Sequence, residues 1–146
     1  VKPLTAREVA ETYSLREVFE VMAVRRILES GVKVDALYEA CDAMNAAAAA
    51  DNYDALTAAD EGFHHTLIRL ADHDLLQASW KNLYLRIHQI MALRNRDERN
   101  LHQIASNHPP IVRALEERDS EKAIALISEH TRTLAAFDPA TIVQDL

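Results

Sequence analysis

Glycine occurs twice, proline four times and cysteine once in 146 residues, and aromatic side chains make up only 5%. So few glycines and prolines leave little to interrupt long periodic segments, which excludes loop-rich and collagen-like chains. The scarcity of aromatic residues argues against a sheet, since strands draw on aromatic and β-branched side chains. A lone cysteine, Cys41, excludes an internal disulfide and suits a reducing, intracellular setting. No apolar run approaches the roughly 20 residues that a membrane span requires, and no signal peptide is visible. Cationic surface is also short: the net charge of −7 argues against a direct grip on nucleic acid or an anionic membrane. These exclusions predict a cytoplasmic protein. The chain opens with Val1 rather than Met, as expected of part of a longer polypeptide.

What is present is alanine, leucine and helical periodicity. Hydrophobic residues make up 49% of the chain, and its length suits one domain. Thr5-Ala6-Arg7-Glu8 has the form of a capping box after Pro3, and Leu15, Val18, Phe19, Met22 and Leu28 then mark an apolar stripe up to Ser30-Gly31. Asp35 is placed to cap a second helix, about residues 36–50, which ends in five alanines. A third, about 53–71, carries Leu56, Asp60, Phe63, His64, Leu67 and Ile68. A fourth, about 75–94, carries Leu76, Trp80, Leu83, Tyr84, Ile87 and Met91. The polar stretch 95–105 reads as an ordered loop. Ser106 then caps a fifth helix, whose first turn tolerates Pro109 and Pro110. Ser120 caps a sixth, with Leu126, Ile127, His130, Leu134 and Phe137 on its stripe and Asp138-Pro139 at its end. Short connections join antiparallel neighbours, so the expected fold is an all-α antiparallel bundle of about six helices.

Asp60, His64, His108 and His130 stand out within that bundle. Asp60 and His64 are four apart and project from one helix face. His108 precedes Ile111 and Val112, and His130 lies between Ile127 and Leu134, so all four point inward. One inward histidine is an ordinary hydrogen-bonded core residue. Three with an aspartate suit a divalent transition ion, because neutral imidazole and one carboxylate form a mixed nitrogen and oxygen donor set. Zinc is the first expectation, with nickel, manganese, iron or cobalt as alternatives. His65 shares a side with Glu61 and Arg69, while His73 and His102 fall in connections.

Asp60-x-x-Phe63-His64, His108 leading into 111–119, and Glu129-His130 together resemble the FCD domain, the ligand-sensing half of FadR-subfamily GntR transcription regulators. Arg25-x-x-Leu28-Glu29 looks like the family's R-x-x-L-E element. The likeness spans residues 15–137, leaving 1–14 as linker or start of the first helix and 138–146 as a tail. It departs from the family's usual pattern at Asp72-His73-Asp74, where a Gly-Asn-Pro turn is usual, and at Pro109-Pro110. The resemblance implies a metal-assisted pocket for a small carboxylate or hydroxy acid and a homodimer. It also implies operator DNA bound only through an upstream winged helix-turn-helix domain that this chain lacks. Arg25 is the expected second anchor for the acid, with Arg86, His88 and Arg94 as further candidates. Two other classes compete. A metal-dependent enzyme would need a general base, and Glu61 and Glu129 both point away from the four ligands. A helical interaction module would use the polar interior only for packing.

Overall fold

A computed structural model describes residues 3–97, 100–135 and 139–140. Its described residues form seven helices: α1 (Ala6–Ser30), α2 (Asp35–Ala49), α3 (Tyr53–Leu70), α4 (Asp74–Asp97), α5 (Leu101–Ser106), α6 (Pro109–Glu116) and α7 (Ser120–Ala135). The all-α bundle is as expected, with one helix more. Stretch 95–105 is not a loop: α4 runs on to Asp97, and Asn100 starts α5 by accepting a hydrogen bond from the Gln103 amide. Isolated six-residue helices are unstable in water, and α5 is held by burial of Leu101, Ile104 and Ala105.

Local chemistry sets most boundaries. The Thr5 hydroxyl accepts from the Glu8 amide at 3.1 Å and the Glu8 carboxylate accepts from the Thr5 amide at 3.0 Å, completing the capping box. At the other end of α1, Gly31 adopts the left-handed region at φ 69°. A side chain there would meet steric trouble as well as strain, because a Cβ would lie 2.6 Å from the Arg118 guanidinium. Other caps differ from expectation by a residue or two. Val34, not Asp35, precedes α2 and gives no side-chain cap. His73 Nδ1 accepts from the Leu76 amide at the start of α4. His108 occupies the cap position of α6, with proline at the first helical positions, and Asp119 rather than Ser120 accepts from the Lys122 amide. The Leu134 side chain, Phe137 and Asp138 lie outside the described residues.

Long-range contacts fix the packing. Arg26, near the end of α1, donates to the Ala71 and Asp72 carbonyls before α4, while Glu8 near its start approaches Arg86 of α4. The two helices are therefore antiparallel. Arg118 donates to the Leu28 and Gly31 carbonyls and Arg132 pairs with Glu17, so α7 also runs antiparallel to α1. The main core joins Ala23, Leu37, Met44, Leu56, Phe63, Leu67, Trp80 and Ile127. Cys41 is buried within it, and burial pushes its thiol up to about 11, so it stays protonated and unreactive at neutral pH.

The face that α1 buries corrects the sequence expectation. Leu15, Val18 and Met22 are exposed, by 48%, 61% and 37%, while Phe19 and Leu28 pack only partly against the core. The buried face carries Val9, Tyr13, Arg16, Glu20, Ala23 and Ile27. Two charged residues replace leucines at the centre of the bundle, and the site explains why.

Candidate metal centre

Asp60, His64, His108 and His130 come together in the bundle interior. One ligating nitrogen from each histidine lies within 4.8 Å of the others. Asp60 Oδ1 stands 2.9 Å from His108 Nε2 and 3.4 Å from His64 Nε2. Ligand distances near 2.1 Å around one ion place neighbouring donor atoms about 3.0–3.4 Å apart, so both Asp60 separations suit a shared cation, and the more widely spaced histidine nitrogens would draw closer to reach it. The His64 and His130 rings stack at 5.2 Å, and the Nε2 atoms of both are buried without a hydrogen-bond partner. Unpaired buried nitrogens are costly unless something else satisfies them. Burial, then the neighbouring His108 and His64, hold His130 well below the ordinary histidine range, so its ring is neutral and offers a lone pair. The donor set fits a divalent transition ion.

The groups behind these ligands fix their orientation. His108 Nδ1 donates to the Ile104 carbonyl at 2.8 Å, which turns Nε2 toward Asp60. Asn95 Nδ2 donates to Asp60 Oδ2 at 3.1 Å. Burial raises the Asp60 carboxyl, but His108 and His64 outweigh it and keep the group ionised, well below its ordinary range. His64 Nδ1 meets Glu20 Oε1, and the other Glu20 oxygen accepts from Arg16 Nε at 2.7 Å. Neither Arg16 nor Glu20 has any exposed surface. Burial opposes the Glu20 charge, yet Arg16 and His64 bring its carboxyl down to about 2. Burial likewise opposes the His64 charge, but Glu20 leads the interactions that raise its proton affinity.

Arg16 and Glu20 were absent from the expected site. Both Nη atoms of Arg16 are buried and unpartnered, as is the hydroxyl of Tyr13, whose ring lies 5.0 Å beneath the Arg16 guanidinium. Arg16 is close enough to disfavour protonation of both His64 and His130. Of the anchors expected from sequence, Arg94 lines a cavity together with Asp60, His108 and His130, and the other three stand elsewhere. Arg25 is exposed on α1. Arg86 is exposed and lies 3.7 Å from Glu8. His88 pairs with Glu61 on the outer side of α3 and α4. His65 Nδ1 accepts from Trp80 Nε1 at 2.8 Å.

The FCD domain profile matches residues 11–133. The chain belongs to the FCD domain family. Two curated relatives are transcriptional repressors. One is the probable D-xylose utilization operon repressor of Paenarthrobacter nicotinovorans, 29% identical over 97% of this chain and 61% of its own length. The other is the gluconate operon repressor of Bacillus subtilis (strain 168), 25% identical over 87% of this chain and 54% of its length. The chain thus spans a little over half the length of these relatives. Among solved structures, the metal-free FCD domain of TM0439 superposes with a TM-score of 0.76 at 16% identity, covering 99% of this chain and 100% of that one. That likeness establishes the seven-helix arrangement as an FCD fold. Among the described residues, no helix is long and apolar enough to cross a membrane.

Proposed function

We propose that this FCD domain is the metal-dependent effector sensor of a cytoplasmic transcription regulator, and that it binds a small carboxylate or hydroxy acid. The observation that carries the reading is the Arg16 guanidinium, fully buried beside the histidine cluster with two unpartnered nitrogens. A planar, permanently charged fork in that state is complementary to a carboxylate, which would satisfy both nitrogens at once. A divalent ion held by Asp60, His64, His108 and His130 would supply a Lewis-acid site for a carboxylate oxygen. Glu20 holds Arg16 and His64 together, so anchor and ligand move as one unit.

The repressor relatives support a regulatory rather than an enzymatic role. Arg16 and Glu20 lie on α1, the helix nearest any domain encoded upstream, and effector binding there would bias how such a DNA-binding domain is held. Regulation requires the acid to favour one arrangement over the other. Calorimetric titration of the zinc-loaded chain with glycolate should show binding that is lost after chelation and in His130→Ala. Unaltered binding in both cases would reject the metal-assisted reading.

The same reading includes a homodimer. Leu15, Val18 and Met22 form an exposed apolar strip at helical spacing along α1, which a second copy would cover. Val18→Glu is expected to shift the sedimenting species from dimer to monomer, and a monomeric parent chain would overturn this assignment.

A further inference from the structure

The four expected ligands are not held alike. Asn95 orients Asp60, Glu20 orients His64 and the Ile104 carbonyl orients His108, and these three ligands are buried. His130 is only half-buried, although its Nε2 lies inside. Among the described residues no hydrogen bond fixes its ring, which stacks on His64 and lies edge-on to His108 at 4.8 Å. It also stands closest to solvent. Of the four, His130 alone lines both the inner cavity of about 30 Å³ and the outer cleft of about 250 Å³.

A ligating histidine without an orienting partner takes its place from its own backbone, here that of α7. Burial of Ala123 and Ile127 seats α7 in the core, but apolar contact is less directional than a hydrogen bond. Glu17 of α1 supplies the directional contact. Its Oε1 accepts from Ser128 Oγ and from Arg132 Nε, the latter at 3.0 Å. Residues 128 and 132 are one turn apart on one face of α7, and position 130 projects from roughly the opposite side. With side chains reaching about 6 Å from a helix axis, a rotation of about 10° moves a ring nitrogen by about 1 Å. Ligand distances must hold within about 0.2 Å, so such a slip would unseat His130. The Arg132 side chain is 72% exposed, and an ion pair of that kind adds little to stability. The consequence of the contact is geometric.

Resting on the metal-dependent sensor reading, the geometry points to Glu17 as a positioning residue of the metal centre: through Ser128 and Arg132 it sets the rotation of α7 and so the place of His130. Helix α1 then governs two ligands, His64 through Glu20 and His130 through Glu17, while α4 and α5 hold the other two. His130 is the ligand that yields first, and the ion leaves past it by the outer cleft.

Zinc transfer to a chelator and the visible spectrum of the cobalt(II)-loaded chain test this. Glu17→Ala is expected to release zinc about 3–10-fold faster than the parent, a smaller effect than loss of a direct partner, and to alter the cobalt bands, which report ligand geometry. Glu17→Gln keeps an oxygen for Ser128 and should bring both readouts most of the way back. Urea midpoints of the metal-free variants should match that of the parent. Where Glu17→Ala does not fold, Ser128→Ala removes the same hydrogen bond and is held to the same criterion. Parent-like release and cobalt bands in the folded variant, or faster release only in step with a lower urea midpoint, would overturn the inference and leave the sensor reading standing. A parent chain that binds neither zinc nor cobalt would overturn that reading and this inference with it.

Discussion

Glu20→Gln should weaken zinc binding by about 10–100-fold, the usual consequence of removing a carboxylate that orients a ligating histidine. Glu20 contributes no atom to the ligand cluster. It receives His64 Nδ1 on one oxygen and Arg16 Nε on the other, with both partners completely buried. Glutamine keeps the volume but removes the charge. His64 then loses the partner that fixes its ring, and Arg16 becomes a buried cation without a counter-charge. Breaking a buried pair in this way costs about 3–5 kcal/mol. The pH dependence has a definite sign. The folded carboxyl titrates near 2 against an ordinary 4.5, so its contribution is fully present above about pH 4.5 and is lost as pH falls toward 2. Urea unfolding of metal-free protein should therefore show a parent-to-variant gap on the order of 3 kcal/mol at pH 7 that shrinks by pH 3. A gap of equal size at both values would mean that Glu20 acts by packing alone.

Much of this centre is legible in the chain. Asp60 and His64 share a helix face by simple spacing, and His108 and His130 sit among apolar neighbours three and four residues away. Arg16 and Glu20 are harder to see for a physical reason. Arg16 to Glu20 and Arg25 to Glu29 have the same four-residue spacing on the same helix, and spacing alone does not say which pair faces inward. Hydropathy chooses wrongly, because Leu15, Val18 and Met22 form the more apolar stripe yet remain exposed on the single chain. A usable signal was nearby: Val9, Tyr13, Arg16, Glu20, Ala23 and Ile27 also recur at helical spacing. A stripe interrupted by one oppositely charged pair is the pattern of a helix that faces a polar centre. The short helix α5 is not legible in the sequence because its polar stretch supplies only three buried residues, and tertiary contacts rather than propensity make it helical.

Arg16→Lys should lower affinity for a carboxylate effector by about 10–100-fold while leaving zinc affinity within a few-fold of the parent. Lysine retains a positive charge for Glu20, so His64 keeps its oriented partner and the ligand cluster is preserved. What disappears is the fork. In the protein, Nε is engaged by Glu20 at 2.7 Å while Nη1 and Nη2 are buried with no partner. Burial opposes the charge, but Glu20 leads the groups that raise its pKa above the ordinary arginine value, so the guanidinium is charged at any physiological pH. A single ammonium cannot satisfy Glu20 and present two parallel donors to an incoming carboxylate. The same substitution separates binding from stability. The ammonium carries three N–H donors against the guanidinium's five, so fewer buried donors go without a partner, and unfolding of the ligand-free variant should differ from that of the parent by no more than the usual repacking cost. Paired titrations with zinc and with glycolate, beside a urea melt, read all three quantities. Parent-like acid affinity in a folded, zinc-binding variant would reduce Arg16 to a structural counter-ion for Glu20 and move the anchoring role to Arg94.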